Sequence, residues 1–183
     1  GLLVAGAMVS SVDLAYFSAA QRTAMLVTFV LMVVNMVVSP RFAKMWKDQD
    51  LAGMRRLAKW STRGMIVMAA PVVLVMIVFP DNVMSFFGDG YEQAGFLLSI
   101  MAIGQFINVA TGSVGYLLNM SGHEREYRQV MLITGPLSIL ISLVLTYFYG
   151  AEGAAVATAL NVGMQNLFAL LMVRSRLGFW SIG

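Results

Sequence analysis

The chain of 183 residues has no cysteine, a single histidine, and only 11% charged residues. Without cysteine it forms no disulfide bond, thiolate metal site or cysteine nucleophile, and one histidine does not make a metal site. Soluble domains carry about 25% charged residues, so a water-exposed surface is not expected. No Ser-His-Asp set and no pair of carboxylates placed for hydrolysis is present, so we expect neither an enzyme nor a cofactor.

The chain is correspondingly rich in apolar residues. They make up 59% of the chain, against roughly 45–50% in soluble domains, and they are gathered into six stretches divided by short polar loops. This pattern predicts an all-α polytopic membrane helix bundle in one domain, 1–183, with about five complete transmembrane helices and a truncated first one. The predicted helices cover about 1–12, 18–39, 62–79, 94–120, 130–149 and 153–173.

Three local features refine these boundaries. Pro40 is expected to stop the second helix, and Pro71 to kink the third. Residues 50–60 place Leu, Met and Ala opposite Arg and Lys, which predicts a short amphipathic helix that lies on anionic lipid or simply anchors the basic side. Asp13 is expected in the turn before the second helix, where it caps that helix or titrates with a coupled proton.

The basic residues occupy alternate loops. Eleven of the twelve Lys and Arg fall on one predicted side, which the positive-inside rule assigns to the cytoplasm together with the C-terminus. This distribution accounts for the net charge of +3 without nucleic acid. We therefore expect a multi-pass protein of the cell inner membrane, in direct contact with the lipid bilayer. Arg22 is the exception, near the outer end of the second helix.

Polar side chains recur at helical spacing within three apolar stretches. Because such groups are costly in lipid, they usually face a bundle interior or a wet cavity. The candidates for a substrate cavity are Arg22, Gln21, Thr28, Asn35, Gln105, Asn108, Asn161 and Gln165.

Helix packing is the competing explanation. Amides can grip sugar hydroxyls, but they can equally bond a neighbouring helix, and both interpretations stay open for Asn108, Asn161 and Gln165. Arg22 could hold the pyrophosphate of a lipid-linked sugar or reach lipid phosphates at the interface.

Several stretches resemble a known transporter superfamily. They are Ala15-Tyr-Phe-Ser-Ala-Ala-Gln-Arg22, Pro40, Phe87-Gly-Asp-Gly-Tyr-Glu-Gln-Ala94, Gly150-Ala-Glu-Gly-Ala-Ala-Val-Ala-Thr-Ala159 and Arg176-Leu-Gly178. In order and spacing they are similar to the C-terminal half of the multidrug/oligosaccharidyl-lipid/polysaccharide exporters, above all the polysaccharide transporters and O-antigen flippases.

The resemblance implies two six-helix lobes in a V around a central cavity, with this chain as the second lobe and the missing N-terminal lobe as its partner. Such proteins flip lipid-linked oligosaccharide by alternating access, some of them coupled to H⁺ or Na⁺. Two alternatives remain at this point: a multidrug cation antiporter of the same superfamily, and a non-transporting membrane scaffold for polysaccharide assembly.

Overall fold

A computed structural model describes residue 6 and residues 9–181 of the chain. Every regular element in this described part is helical, which confirms the prediction of an all-α membrane bundle. The helices are α1 (Ser11–Ala24), α2 (Leu26–Lys47), α3 (Leu51–Val78), α4 (Pro80–Ser85), α5 (Gly95–Thr111), α6 (Val114–Met120) and α7 (Glu124–Leu177), and a 3₁₀ turn, Tyr91–Ala94, precedes α5. The helix expected at about 1–12 lies largely outside the described residues.

The helix expected over 18–39 begins earlier, because Ser10 provides an N-cap. Its Oγ accepts a hydrogen bond from the Asp13 N–H at 3.2 Å and donates to the Asp13 carboxylate at 2.7 Å. Asp13 therefore lies in the first turn of α1, not in a connecting turn. With only a local irregularity at Met25, the apolar span Ser11–Lys47 has 37 residues, or about 55 Å of helix.

The expected end at Pro40 is wrong, since α2 continues for two more turns to Lys47. A proline removes one backbone hydrogen bond, and membrane helices tolerate that loss when neighbouring groups compensate. The Pro40 ring is exposed, so it does not have to fit against another helix. Pro71 is likewise exposed and lies inside α3.

The separate amphipathic helix expected at residues 50–60 is also wrong, because these residues are the first turns of α3. Asp50 caps α3, its Oδ1 accepting from the Gly53 N–H at 2.8 Å. The helix expected over 62–79 thus starts at Leu51. Because α2 and α3 pack against each other on either side of a three-residue turn, they form a hairpin. We call its closed end, residues 40–63, the basic hairpin.

The helix expected over 94–120 is divided in two. Gly112 adopts φ 77° and ψ −155°, a conformation that favours glycine, and it separates α5 from α6. Gly112 lies directly against the side chain of Thr62 on α3, so a Cβ at this position would collide with the Thr62 hydroxyl. The break therefore has both a conformational and a steric reason to be glycine.

Gly150 reverses the chain within α7. Its φ of 56° and ψ of −135° split α7 into a first arm, 124–149, and a second arm, 151–177, where the sequence predicts helices at 130–149 and 153–173. Asn161 Nδ2 donates to the Ser138 carbonyl at 3.2 Å, which shows that the arms run side by side. The described residues therefore contain five helical segments long and apolar enough to cross a membrane.

Helix α5 lies at the centre of the bundle, against α1, α2, α3 and α7. Half of the apolar span that contains it is buried, compared with 22% to 28% for the other three spans. It packs closely against the second arm of α7, where a Cβ placed on Gly104 would lie 2.7 Å from the Ala159 Cα. No side chain fits in that space.

We expect Gly104→Ala to destabilise the bundle by about 1–3 kcal/mol, because α5 and α7 must separate to admit the methyl group. Thermal unfolding of the purified protein in detergent measures the effect. Gly64→Ala is the matched control, since Gly64 also lies inside a helix but nothing lies within 4 Å of its Cβ position. That variant should be neutral or slightly stabilised. Equal stability of the two variants would contradict the close packing at Gly104.

Candidate functional site

Two apolar cores fill the bundle, one above the other. The first core joins α1, the start of α2, α5, the second half of α3, and Ala154 and Ala155 of α7. The second core joins the end of α2, the start of α3, α6 and the last turns of α7. Helices α2, α3 and α7 each pass from one core to the other. At Gly112 the chain leaves α5, in the first core, and enters α6, in the second core.

Polar residues occupy the level at which the helices change core. Asn35 on α2, Thr62 on α3 and Ser113 between α5 and α6 are all at least 95% buried. On the second arm of α7, Asn161 and Asn166 lie between the residues that belong to the first core and those that belong to the second. We call these five residues, with Asn108, the polar layer.

Amide hydrogen bonds join helices across this layer. Asn166 Nδ2 donates to Asn108 Oδ1 at 3.0 Å, which links α7 to α5. Asn161 Nδ2 donates to the Ser138 carbonyl and to Ser142 Oγ at 3.1 Å, which links the two arms of α7. In lipid such bonds stabilise helix association. For Asn108 and Asn161 the geometry therefore favours helix packing over sugar binding.

Other polar atoms of the layer have no hydrogen-bond partner among residues 9–181. They are Asn35 Oδ1, Thr62 Oγ1, Ser113 Oγ and Asn161 Oδ1. Burying a polar group without a partner costs free energy, so this level is less favourably packed than the cores on either side of it.

The remaining predicted site residues are found in three environments. Gln105 is buried on α5, while Gln21 and Gln165 are half-buried and make no recorded hydrogen bond within the described chain. Thr28 turns back on its own helix, donating from Oγ1 to the Met25 carbonyl at 2.6 Å. Arg22 is exposed near the end of α1. The eight predicted residues thus do not form one pocket.

Arg22 belongs to an exposed stripe that the polar pattern did not reveal. Met25, Phe29, Met32 and Met36 follow it at intervals of three or four residues, with 47%, 64%, 55% and 68% of each residue exposed. These spacings place all five side chains on one helical face. Exposed faces of α3 and α7 are dominated by Leu, Ile and Val instead. We call this face the Arg22 stripe.

Four members or neighbours of the polar layer were not predicted from the sequence: Thr62, Ser113, Ser138 and Asn166. Single hydroxyl residues in apolar helices give little signal, because they often bond their own helix. Asn166 could have been found, since it directly follows Gln165 in a stretch otherwise rich in apolar residues.

Charge separates the two ends of the bundle. The end with the second core carries eleven basic residues and four carboxylates, the basic ones being Arg41, Lys44, Lys47, Arg55, Arg56, Lys59, Arg63, Arg125, Arg128, Arg174 and Arg176. The opposite end carries Arg22 and five carboxylates: Asp13, Asp81, Asp89, Glu92 and Glu152. This asymmetry is typical of a protein with one fixed orientation in a membrane.

The chain is 24% identical over 156 residues to a Haloferax volcanii protein named probable low-salt glycan biosynthesis flippase Agl15. The match covers 81% of this chain and 32% of that relative, so the chain spans about a third of the relative's length. No solved structure matches.

The MatE family model matches residues 2–148, which is most of the chain and includes α1 to α6 and the first arm of α7. MatE proteins are membrane transporters within the multidrug/oligosaccharidyl-lipid/polysaccharide exporter superfamily, and this chain belongs to the MatE family.

Proposed function

We propose that the chain is the second lobe of a flippase that moves lipid-linked oligosaccharide across the inner membrane by alternating access. The observation that carries this proposal is the Arg22 stripe, which combines one cation with a row of adaptable apolar side chains. A polyprenyl diphosphate sugar has the complementary parts: a diphosphate for the guanidinium and a long apolar chain for Met25 to Met36. The name of the Haloferax relative points to the same class of substrate.

A multidrug antiporter of the same family is the second candidate, because methionine-rich surfaces also suit varied apolar drugs. Cation coupling in such a protein is expected to use a carboxylate at membrane depth. All nine Asp and Glu of this chain lie toward the two ends of the bundle, and eight of the nine are exposed. This lobe therefore favours the flippase, with H⁺ or Na⁺ coupling left to groups elsewhere in the protein.

Orientation is the first test of the proposal. We expect the basic end and the C-terminus on the cytoplasmic side. The chain has no native cysteine, so a cysteine introduced at exposed Asp48 or Asp89 is unique within it. In intact cells a membrane-impermeant maleimide should label Asp89→Cys, and label Asp48→Cys only after permeabilisation. The reverse pattern would place the Arg22 end inside and contradict the proposal.

Arg22→Gln should reduce translocation of lipid-linked sugar by about 10- to 100-fold, because a charge-assisted contact of about 1.5–3 kcal/mol is lost. Arg22→Lys should be intermediate, since an ammonium keeps the charge but not the paired donors. A fluorescent lipid-linked sugar in proteoliposomes measures the rate. Neither change should lower thermal stability, because Arg22 is exposed.

Arg125→Gln is the matched control, since it removes the same charge from an exposed position at the opposite end. It should transport normally. If Arg22→Gln also transports normally while folded, Arg22 contacts interfacial lipid and the stripe does not hold substrate.

Asn161→Ala tests the packing role of the polar layer. Loss of the bonds to Ser138 and Ser142 should lower stability by about 0.6–1.7 kcal/mol, between the average and the largest value typical of hydrogen bonds between membrane helices. Asn119→Ala is the control, because Asn119 is exposed at the end of α6. Unchanged stability together with abolished transport would instead make Asn161 a substrate contact.

A further inference from the structure

An apolar groove of about 360 Å³ runs along the surface between α2 and α3. Val33, Val37, Gly64 and Met68 line it, and Leu57, which belongs to the basic hairpin, lines its end toward the basic end of the bundle. The one hydroxyl in its wall, Ser61 Oγ, donates to the Ala58 carbonyl at 3.0 Å. The wall therefore presents no free polar group.

The groove has the length of one leaflet. From Leu57 to Met68 α3 rises about 16 Å, close to half of the roughly 30 Å hydrocarbon core. No side chain blocks its middle, because Gly64 has open space where a Cβ would lie. The α2 side of the groove lies about 100° around that helix from the Arg22 stripe, so the groove and the stripe are distinct surfaces.

Two cations lie where the groove meets the basic end. Arg41 and Lys44 are exposed and follow Val37 at spacings of four and seven residues, so they share its helical face. Helical side chains lean toward the N-terminus of their helix. Because α2 ends at the basic hairpin, Arg41 and Lys44 lean back over the mouth of the groove.

The basic residues of α3 are placed differently. Arg55 and Arg56 lie about 130° around α3 from the groove face. Moreover, α3 begins at the basic hairpin, so its side chains lean outward, away from the apolar part of the bundle. Arg55 and Arg56 therefore carry the same charge at the same end of the molecule but lie away from the groove, which makes them a control for Arg41 and Lys44.

We propose that this groove binds one acyl chain of an anionic phospholipid, whose phosphate is held by Arg41 and Lys44. An apolar groove at membrane depth is filled by a lipid chain, and the cations at its mouth select a headgroup of negative charge. Trp60 is 68% exposed and lies one turn before Gly64, toward the basic end, where its indole can reach a lipid headgroup. The bound lipid is a resident of the leaflet at the basic end, distinct from the transported substrate.

Photo-crosslinking tests this site in the full-length protein in lipid nanodiscs. Phosphatidylglycerol with a diazirine near the end of one acyl chain should label peptides that contain residues 33–38 and 61–68. At sub-saturating lipid, Arg41→Gln with Lys44→Gln should reduce this labelling about 25-fold, or about fivefold for each cation removed. Arg55→Gln with Arg56→Gln should leave labelling within about twofold, because these side chains are farther away and screened.

Two further measurements decide between sources of the lipid. A phosphatidylcholine probe should label the groove weakly, and excess polyprenyl diphosphate sugar should leave phosphatidylglycerol labelling unchanged. Equal labelling by both phospholipids, or labelling that survives loss of Arg41 and Lys44, would make the groove an ordinary lipid contact and overturn the proposal. Displacement by the polyprenyl lipid would also overturn it, by making the groove part of the substrate path.

Discussion

The close approach of α5 to the second arm of α7 determines the rest of the bundle. In lipid no hydrophobic force draws one apolar helix to another, so association depends on dispersion contacts and hydrogen bonds. Gly104 lets the backbone of α5 reach Ala159, and this brings Asn108 within 3.0 Å of Asn166 one turn later. A larger residue at Gly104 would loosen both contacts, which is why α5 can act as the central helix.

Three of the five stretches that resemble the exporter superfamily meet in space. Tyr16, from the stretch 15–22, contacts Tyr91, from the stretch 87–94, with ring centroids 5.3 Å apart. Ala154 and Ala155, from the stretch 150–159, are fully buried in the same core as Phe17 and Ala94. The residues that resemble the family in these segments are therefore explained by packing of the first core. Arg22, at the end of the first segment, is exposed and free of that packing role.

The number and order of crossing helices could be predicted because apolar length and charge alternation are properties of whole segments. Helix ends could not, since they depend on single groups. Pro40 does not end α2, because an exposed proline costs only its own hydrogen bond, whereas Gly112 divides a continuous apolar stretch at its contact with Thr62. For the site, the sequence identified polar residues in the helices but not the direction in which each faces.

The direction in which a polar side chain faces distinguishes residues that bond within the bundle from residues that contact its surroundings. Asn161 and Arg22 are both costly in lipid, and a pattern of polar spacing treats them alike. Asn161 Nδ2 donates to Ser138 and Ser142 inside the bundle, which offsets part of its cost, while its Oδ1 has no partner among residues 9–181. Arg22 is exposed and has no recorded interaction with residues 9–181. Its cost must be met from outside the described residues, by headgroups, by another part of the protein or by a phosphate, and the proposed function uses the last of these.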